Sequence, residues 1–273
     1  MVAMRKLRIL KTTPAIMTEG HIINNKEMID HFKSSLTEVV YRGLPNCGVR
    51  AVNDERSREI VAPLHVKMTL DAEKEGFDAV AMGCLLEPGV REAKEKCKIP
   101  IVGALEASVH FAAMLGNRFS FVVGGHDRVL RDDMSKGGRT HILIDLIRSY
   151  GLISRLASIR GIGLETLDFF PEYKNLDKLK ELMMRESQKA IKEDGADVIV
   201  MYGGITVLGY LQRNLSVPVI NQKQAQIMMA EALARSQFAK REGIDQTKRE
   251  SSKNPDQSGS ALKSLSPSDT SIV

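Results

Sequence analysis

The side chains in this sequence that can move protons gather at the ends of short apolar runs. Cys84 follows Asp78 to Gly83, His126 follows Arg118 to Gly125, and Tyr202 follows Asp197 to Met201. Thr12 and Thr13 close the run that begins at Leu7, and Asn53 and Asp54 follow Gly48 to Val52. A thiol placed just before a helix is favourably set for activation, because a helix N-terminus lowers thiol pKa below its ordinary ~8.5. Such a thiolate can take a proton from a carbon next to a carbonyl, and backbone N–H groups can hold the enolate oxygen that forms. A histidine, with a free pKa near ~6.5, suits proton transfer as well. The catalytic candidates are therefore Cys84, His126 and Tyr202. The substrate-binding candidates are Thr13, Asn53, Leu85, Gly124, Gly125, Gly203 and Gly204, whose amides and small side chains let a carboxylate or imide approach. Each has a plainer reading. A cysteine is often a small buried hydrophobe, a loop histidine is often a solvated cap, and glycines often serve only tight turns.

The other two cysteines read as structural: Cys97 lies on an Ala/Lys/Glu-rich helix and Cys47 in a Pro-Asn-Cys-Gly turn. The remaining histidines have no ligand spacing, so no metal is called for, and nothing in the motifs asks for a cofactor. Glu87 reads as an anchor behind the site or a plain exposed carboxylate. Glu106 reads as a carboxylate favouring a helix N-terminus.

Strands alternating with helices must position these groups, which implies an α/β fold with parallel sheets and crossover helices. The expected strands are Leu7 to Thr13, Gly48 to Val52, Asp78 to Gly83, Ile99 to Val102, Arg118 to Val123 and Ala157 to Gly161, then the strands of a second copy. The expected helices include Lys26 to Val40, one capped by Ser57 that runs to Glu75 with a break at Pro63, Glu106 to Leu115, His141 to Tyr150, Leu176 to Glu193 and Gln222 to Lys240. The stretch Gly76 to Ser108 recurs in Gly195 to Gln224: Gly76-Phe77-Asp78 matches Gly195-Ala196-Asp197, and Pro100-Ile101-Val102 matches Pro218-Val219-Ile220. The displacement is 195 − 76 = 119 at the start and 218 − 100 = 118 at the end. The fold expected is two pseudosymmetric lobes, each a mainly parallel sheet flanked by helices, with the active site in the cleft between them. Residues 1–104 form the first lobe, completed by 215–240 as the last strand and helix return to it. Residues 105–214 form the second. In this alignment Cys84 falls opposite Gly203, because 203 − 84 = 119.

The chain of 273 residues is 43% hydrophobic and 27% charged, ordinary for a globular protein. A net charge of +5 with 5% aromatics and no basic run argues against nucleic acid. Apolar runs are strand-length, so no membrane span is expected. Three cysteines and the lack of a signal-like N-terminus point to the cytoplasm. The Ser-rich segment 241–273 reads as a disordered tail.

Several motifs together resemble the aspartate/glutamate/hydantoin racemase superfamily, nearest its hydantoin racemase branch. They are FDAV-x-x-GC at Phe77 to Cys84, then Glu87-Pro88-Gly89, IPIVGALEAS with a downstream Leu115-Gly116, and RFSFVV at Arg118 to Val123. The likeness extends over about residues 7 to 237. It implies a cofactor-independent enzyme that uses two cysteines on opposite faces of the substrate carbon, with Cys84 similar to the first. The second belongs at Gly203 or Gly204, and Thr13-Pro14 stands where the family has Asn-Pro. The family's Gly-Pro-x-Ser-Ile stretch is not recognisable between 48 and 56. Three readings follow: a racemase or epimerase with His126 or Tyr202 as second base, a single-cysteine decarboxylase or cis-trans isomerase of the same fold, and a non-catalytic small-molecule binding protein. The partner in each is a small molecule carrying a carboxylate or imide. Family members often form oligomers, so a homo-oligomer is allowed for.

Overall fold

Two runs with only apolar side chains, Ala79–Met82 and Val198–Met201, are interior strands of two different sheets, and every residue in both is buried. Strands covered by helices on both faces need apolar side chains at successive positions, not alternate ones. A computed structural model of the chain describes residues 5–16, 19–45, 47–125, 128–130, 139–164 and 175–237.

The first half contains β1 (Leu7–Thr13), α1 (Glu19–Phe32), β2 (Thr37–Gly43), α2 (Glu55–Lys74), β3 (Ala79–Met82), α3 (Val90–Lys96), β4 (Ile101–Gly103) and α4 (Ala104–Leu115). The second contains β5 (Phe119–Val123), β6 (Arg128–Leu130), α5 (Arg139–Ser149), β7 (Leu156–Gly161), α6 (Leu176–Asp194), β8 (Val198–Met201), α7 (Ile205–Asn214), β9 (Val219–Asn221) and α8 (Gln222–Ser236). The first sheet has the order β2-β1-β3-β4 and is parallel throughout. The second has the order β6-β7-β5-β8-β9, with four parallel strands and β6 antiparallel at its edge. Removing β6 leaves the same order twice. Ile9 pairs with Ala79 in one sheet and Phe119 with Val198 in the other, so β1 answers β5 and β3 answers β8.

Helices α4 and α8 exchange lobes. Leaving β4, α4 packs on β5, β8 and β9; leaving β9, α8 packs on β1, β3 and β4; and the two helices lie against each other. Both sheets belong to one compact unit ending at Ser236. The expectation that the last strand returns to the first lobe is not met, because β9 hydrogen-bonds to β8 in register Ile199 with Val219. Only the helix crosses.

Two further boundaries differ from the expectation. The helix expected over Lys26 to Val40 ends at Phe32, and Thr37–Gly43 is a strand paired with β1. Ser34 and Ser35 interrupt the helical period, and the β-branched and aromatic run Val39-Val40-Tyr41 prefers the pleated edge. Gly48 to Val52, expected as a strand, is irregular chain. Helix α2 is capped by Asp54, which accepts from Ser57 N at 2.7 Å while the Ser57 hydroxyl serves the Asp54 and Asn53 amides, a reciprocal capping box. The helix continues through Pro63.

Candidate active site

The carboxyl ends of β1, β3, β5 and β8 converge on a cavity of about 140 Å³. In open α/β sheets this edge is where ligands bind, because chain leaves it in loops with free amides. Thr13 and Pro14 come from the end of β1, and Gly83, Cys84 and Leu85 from the end of β3. Val123 and Gly124 follow β5, Tyr202 follows β8, and Arg50 to Asn53 come from the irregular segment before α2. The exchanged helix α8 supplies Gln222, Lys223 and Gln226.

Cys84 is half-buried and has φ +74, in the left-handed region that non-glycine residues enter at a cost of about 1–3 kcal/mol. The turn after it holds that conformation. Glu87 N donates to Cys84 O at 3.2 Å, and Leu86 N approaches Sγ at 3.4 Å. The thiol does not stand at a helix N-terminus, as the sequence suggests, because α3 begins six residues later at Val90. Its polarising neighbours are the Leu86 amide and Lys11, whose charge interacts with that of Cys84. A cation and an N–H both favour thiolate over thiol.

A buried chain of hydrogen bonds fixes the approach to Cys84. His65 Nδ1 lies 3.0 Å from Pro88 O, which only accepts, so Nδ1 carries the proton. Nε2 therefore accepts from the Thr12 hydroxyl at 2.5 Å, and Thr12 Oγ1 accepts from Gly83 N at 3.2 Å. Burial pushes His65 down to about 4, so it stays neutral in this role. Gly83 is required by closeness: a Cβ there would lie 2.1 Å from Thr12 O.

Glu87 is buried, not exposed. It accepts from Glu106 N at 2.8 Å in the first turn of α4, whose N-cap Gly103 offers no side chain, and from the Tyr150 hydroxyl across the lobes. Burial raises its pKa to about 7. Glu106 itself pairs with Lys94 on the surface.

Two buried lysines complete the cavity. Lys11, inside β1, donates to Thr12 O at 3.2 Å, and Lys223 opens α8 with Nζ 5.9 Å from the centre of the Tyr202 ring. Burial lowers both to about 7. Repulsion from Lys11 adds to the effect on Lys223, and the Cys84 charge opposes it on Lys11. Gln226 Nε2 donates to Met82 O at 2.6 Å and Val102 O at 2.8 Å, fastening α8 to β3 and β4. Among the described residues that line the cavity there is no carboxylate.

Of the candidates named from sequence, Cys84, Tyr202, Thr13, Asn53, Leu85 and Gly124 line this cavity. Gly125 instead pairs with Leu164. Gly203 has φ +149 and lends its carbonyl to Asn221 Nδ2 at 3.0 Å, and Gly204 caps α7. None of these three lines the cavity. His126 and the segment 241–273 lie outside the described residues. Lys11, Arg50, Gln222, Lys223 and Gln226 were missed. Applying the strand-end rule to β9 would have flagged the start of α8, and a lysine inside the apolar run LRILKTT was a signal for Lys11. Among the described residues no group of three or more His, Cys, Asp or Glu is gathered as for a metal ion. No described helix is long and apolar enough to cross a membrane.

The duplicated parallel sheets, with a cleft at their carboxyl edges, define a two-lobed α/β protein of racemase type. The chain belongs to the Asp/Glu/Hydantoin racemase family, which it matches over residues 26–230, and so to the racemase class of isomerases. It is 30% identical to a hydantoin racemase of Pseudomonas sp. (strain NS671), over 69% of this chain and 71% of that one. Among solved structures it resembles the allantoin racemase of Klebsiella pneumoniae, with a TM-score of 0.72, 25% identity and coverage of 85% of this chain and 89% of that one. A liganded arylmalonate decarboxylase carrying glycine-to-cysteine and cysteine-to-serine substitutions shares the fold. Its TM-score is 0.60 at 13% identity, covering 84% of this chain and 92% of that one.

Proposed function

We propose that this protein is a cofactor-independent racemase or epimerase of the hydantoin racemase type, which moves a proton at a carbon next to a carbonyl with the Cys84 thiolate as acid and base. The observation that carries the reading is the setting of Cys84. It sits half-buried at the end of β3, held at positive φ on the cavity wall, with the Leu86 amide at its sulfur and Lys11 beside it. Removing an α-proton places negative charge on the adjacent carbonyl oxygen, and a cavity lined by the Arg50 guanidinium and the N–H groups of Lys11 and Lys223 favours that charge. Thr13, Asn53, Leu85 and Gly124 line the same space and would hold the substrate's carboxylate or imide. Tyr202 is the second proton carrier in this reading, since Gly203 at the position matching Cys84 has no side chain to offer. Free cysteines suit a reducing cytoplasmic setting.

The absence of a thiol at Gly203 also favours a second reading, in which Cys84 works alone and protonates one face of an enolate formed by loss of CO₂. One experiment separates the two. Single enantiomers of 5-substituted hydantoins, aspartate and glutamate are incubated in D₂O, following deuterium uptake and optical rotation. Exchange with loss of optical activity supports racemisation, and exchange with retention moves the assignment to the single-cysteine reading, for which malonate-type acids are the next substrates. Cys84→Ala is expected to lower either rate at least ~10³-fold with the fold intact, by analogy with removal of other essential proton-transfer groups. Undiminished turnover in that variant would refute both.

A further inference from the structure

The cleft holds two lysines that the proton-transfer chemistry of Cys84 leaves without a covalent role. Both line one cavity of about 140 Å³ and are nearly inaccessible to solvent, at 4% for Lys11 and 7% for Lys223. They are near enough to disfavour each other's charge. Two ammonium groups sharing a dry cavity are costly, so one tends to shed its proton, and a buried neutral lysine is a nucleophile toward carbonyl carbon. The surroundings decide which. Lys11 has the Cys84 sulfur beside it, which favours the ammonium. Lys223 feels the charge of Lys11 and lies 5.9 Å from the centre of the Tyr202 ring, and the charge of Glu27 in α1 opposes its loss of a proton. Burial and Lys11 outweigh Glu27, leaving Lys223 at about 7.

A second, independent feature points to a ligand at the same place. Gln222 Oε1 and Gln226 Oε1, one turn apart at the start of α8, are buried with no hydrogen-bond partner in the protein. Gln226 cannot turn its amide to relieve this, because its Nε2 is committed to Met82 O and Val102 O. Buried acceptors without donors are costly, and a bound group bearing O–H or N–H removes that cost.

We propose that Lys223 is an imine-forming residue and that the cleft takes small 2-oxo acids, whose carboxylate lies against Lys11 and Arg50. The neutral Lys223 amine adds to the ketone or aldehyde carbon, giving a carbinolamine. The carbinolamine loses water to give the imine, which takes up one proton as the iminium. Amine plus oxo acid gives imine plus water, and no oxidant or reductant is consumed. Gln222 and Gln226 accept from the carbinolamine hydroxyl and the iminium N–H. The bound carboxylate beside Lys11 raises its pKa and holds it as the ammonium.

The test is reductive trapping on the full chain with glyoxylate or pyruvate and cyanoborohydride, followed by peptide mapping. At about pH 7.5 the free-amine fraction of a lysine at about 7 is roughly 10³-fold that of one at 10.5. With Lys11 held as the ammonium by the bound carboxylate, the fast adduct is expected at Lys223, forming ~10-fold or more faster than at exposed Lys67 and Lys74, whose side chains are 74% and 79% accessible. Lys223→Met should abolish that fast adduct. Mapping of the unsubstituted chain keeps the test decisive if the variant folds poorly. Adducts spread over exposed lysines, or a fast adduct on Lys11, would overturn the assignment. Trapping reads the amine directly and needs no proton exchange by Cys84, so it stands or falls separately from the D₂O experiment.

Discussion

Replacing Lys11 by methionine should stabilise the protein, and by an amount that depends on pH in a defined direction. Burial moves Lys11 from 10.5 to about 7. Below 7 its ammonium is present in folded and unfolded chain alike, and the folded state bears the whole cost of burying it. That cost is ~5 kcal/mol, at about 1.4 kcal/mol per tenfold change. Between 7 and 10.5 the folded chain has shed the proton while the unfolded chain keeps it. The unfolded state then binds more protons, and wild-type stability rises with pH. By pH 9 the cost has fallen to ~2 kcal/mol, and above 10.5 it vanishes. Methionine matches the lysine stem in length and carries no charge. It forfeits the bond from Nζ to Thr12 O, worth about 1 kcal/mol. The expected gain is therefore ~4 kcal/mol at pH 6 and ~1 kcal/mol at pH 9, with a further contribution of the same sign as Lys223 loses a repelling neighbour. The chain has no tryptophan, so urea unfolding is followed by far-UV circular dichroism at both pH values. A variant less stable than wild type at pH 6, or a gap that does not narrow toward pH 9, would refute the buried-cation reasoning.

Three other perturbations have expected outcomes. Glu87 is raised from 4.5 to about 7, so the folded chain holds a proton that the unfolded chain has lost, and stability falls as pH rises through this window. Glu87→Gln keeps an acceptor for the α4 amides and removes the charge, so urea midpoints should show it gaining ~3 kcal/mol on wild type between pH 4.5 and 8; a parallel pH profile would contradict this. Gly203→Cys should cost about 1–3 kcal/mol because φ is +149 there, and the new Cβ meets the flexible Met201 Cε at 2.8 Å and Val207 Cβ at an ordinary 3.9 Å. If the refolded variant shows no added loss of optical activity in the D₂O assay, the opposition of positions 84 and 203 is wrong. Arg160 donates to the buried Asp194 carboxylate at 2.6 and 2.9 Å, so Arg160→Met removes both of these charge-assisted bonds and should cost about 3–5 kcal/mol in denaturant unfolding. A loss under ~1 kcal/mol would mean the cluster is solvated.

Much of this architecture is legible without coordinates, because parallel strands announce themselves locally. Ala79 to Met82 and its counterpart Val198 to Met201 are apolar at successive positions, and their repetition at a spacing of 198 − 79 = 119 implies two sheets before any contact is known. The same reading locates Cys84, since a thiol directly after such a run must emerge at the carboxyl edge. Local pattern failed where two periods fit one stretch: Val39 and Val40 suit a helix stripe as well as an edge strand, and pairing with β1 decided for the strand. Glu87 was open to two readings because its φ of +48 and its place over the N-terminus of α4 are products of the turn and of β4 lying beside β3.

What the residues determined by themselves is the class of fold, the duplication and the one thiol at a strand end. Those follow from the order and apolarity of neighbours along the chain. What tertiary structure alone decided is the electrostatic character of the cleft. A lysine in a strand or at a helix start is solvated by default, and the apolar neighbours of Lys11 mark a strand without saying that a second lysine will be buried near it. Lys11 and Lys223, 212 positions apart (223 − 11), become a coupled buried pair only because α8 leaves the second sheet and packs over the first. Burial and charge proximity are properties of that crossing, and they set the pKa values on which the chemistry depends.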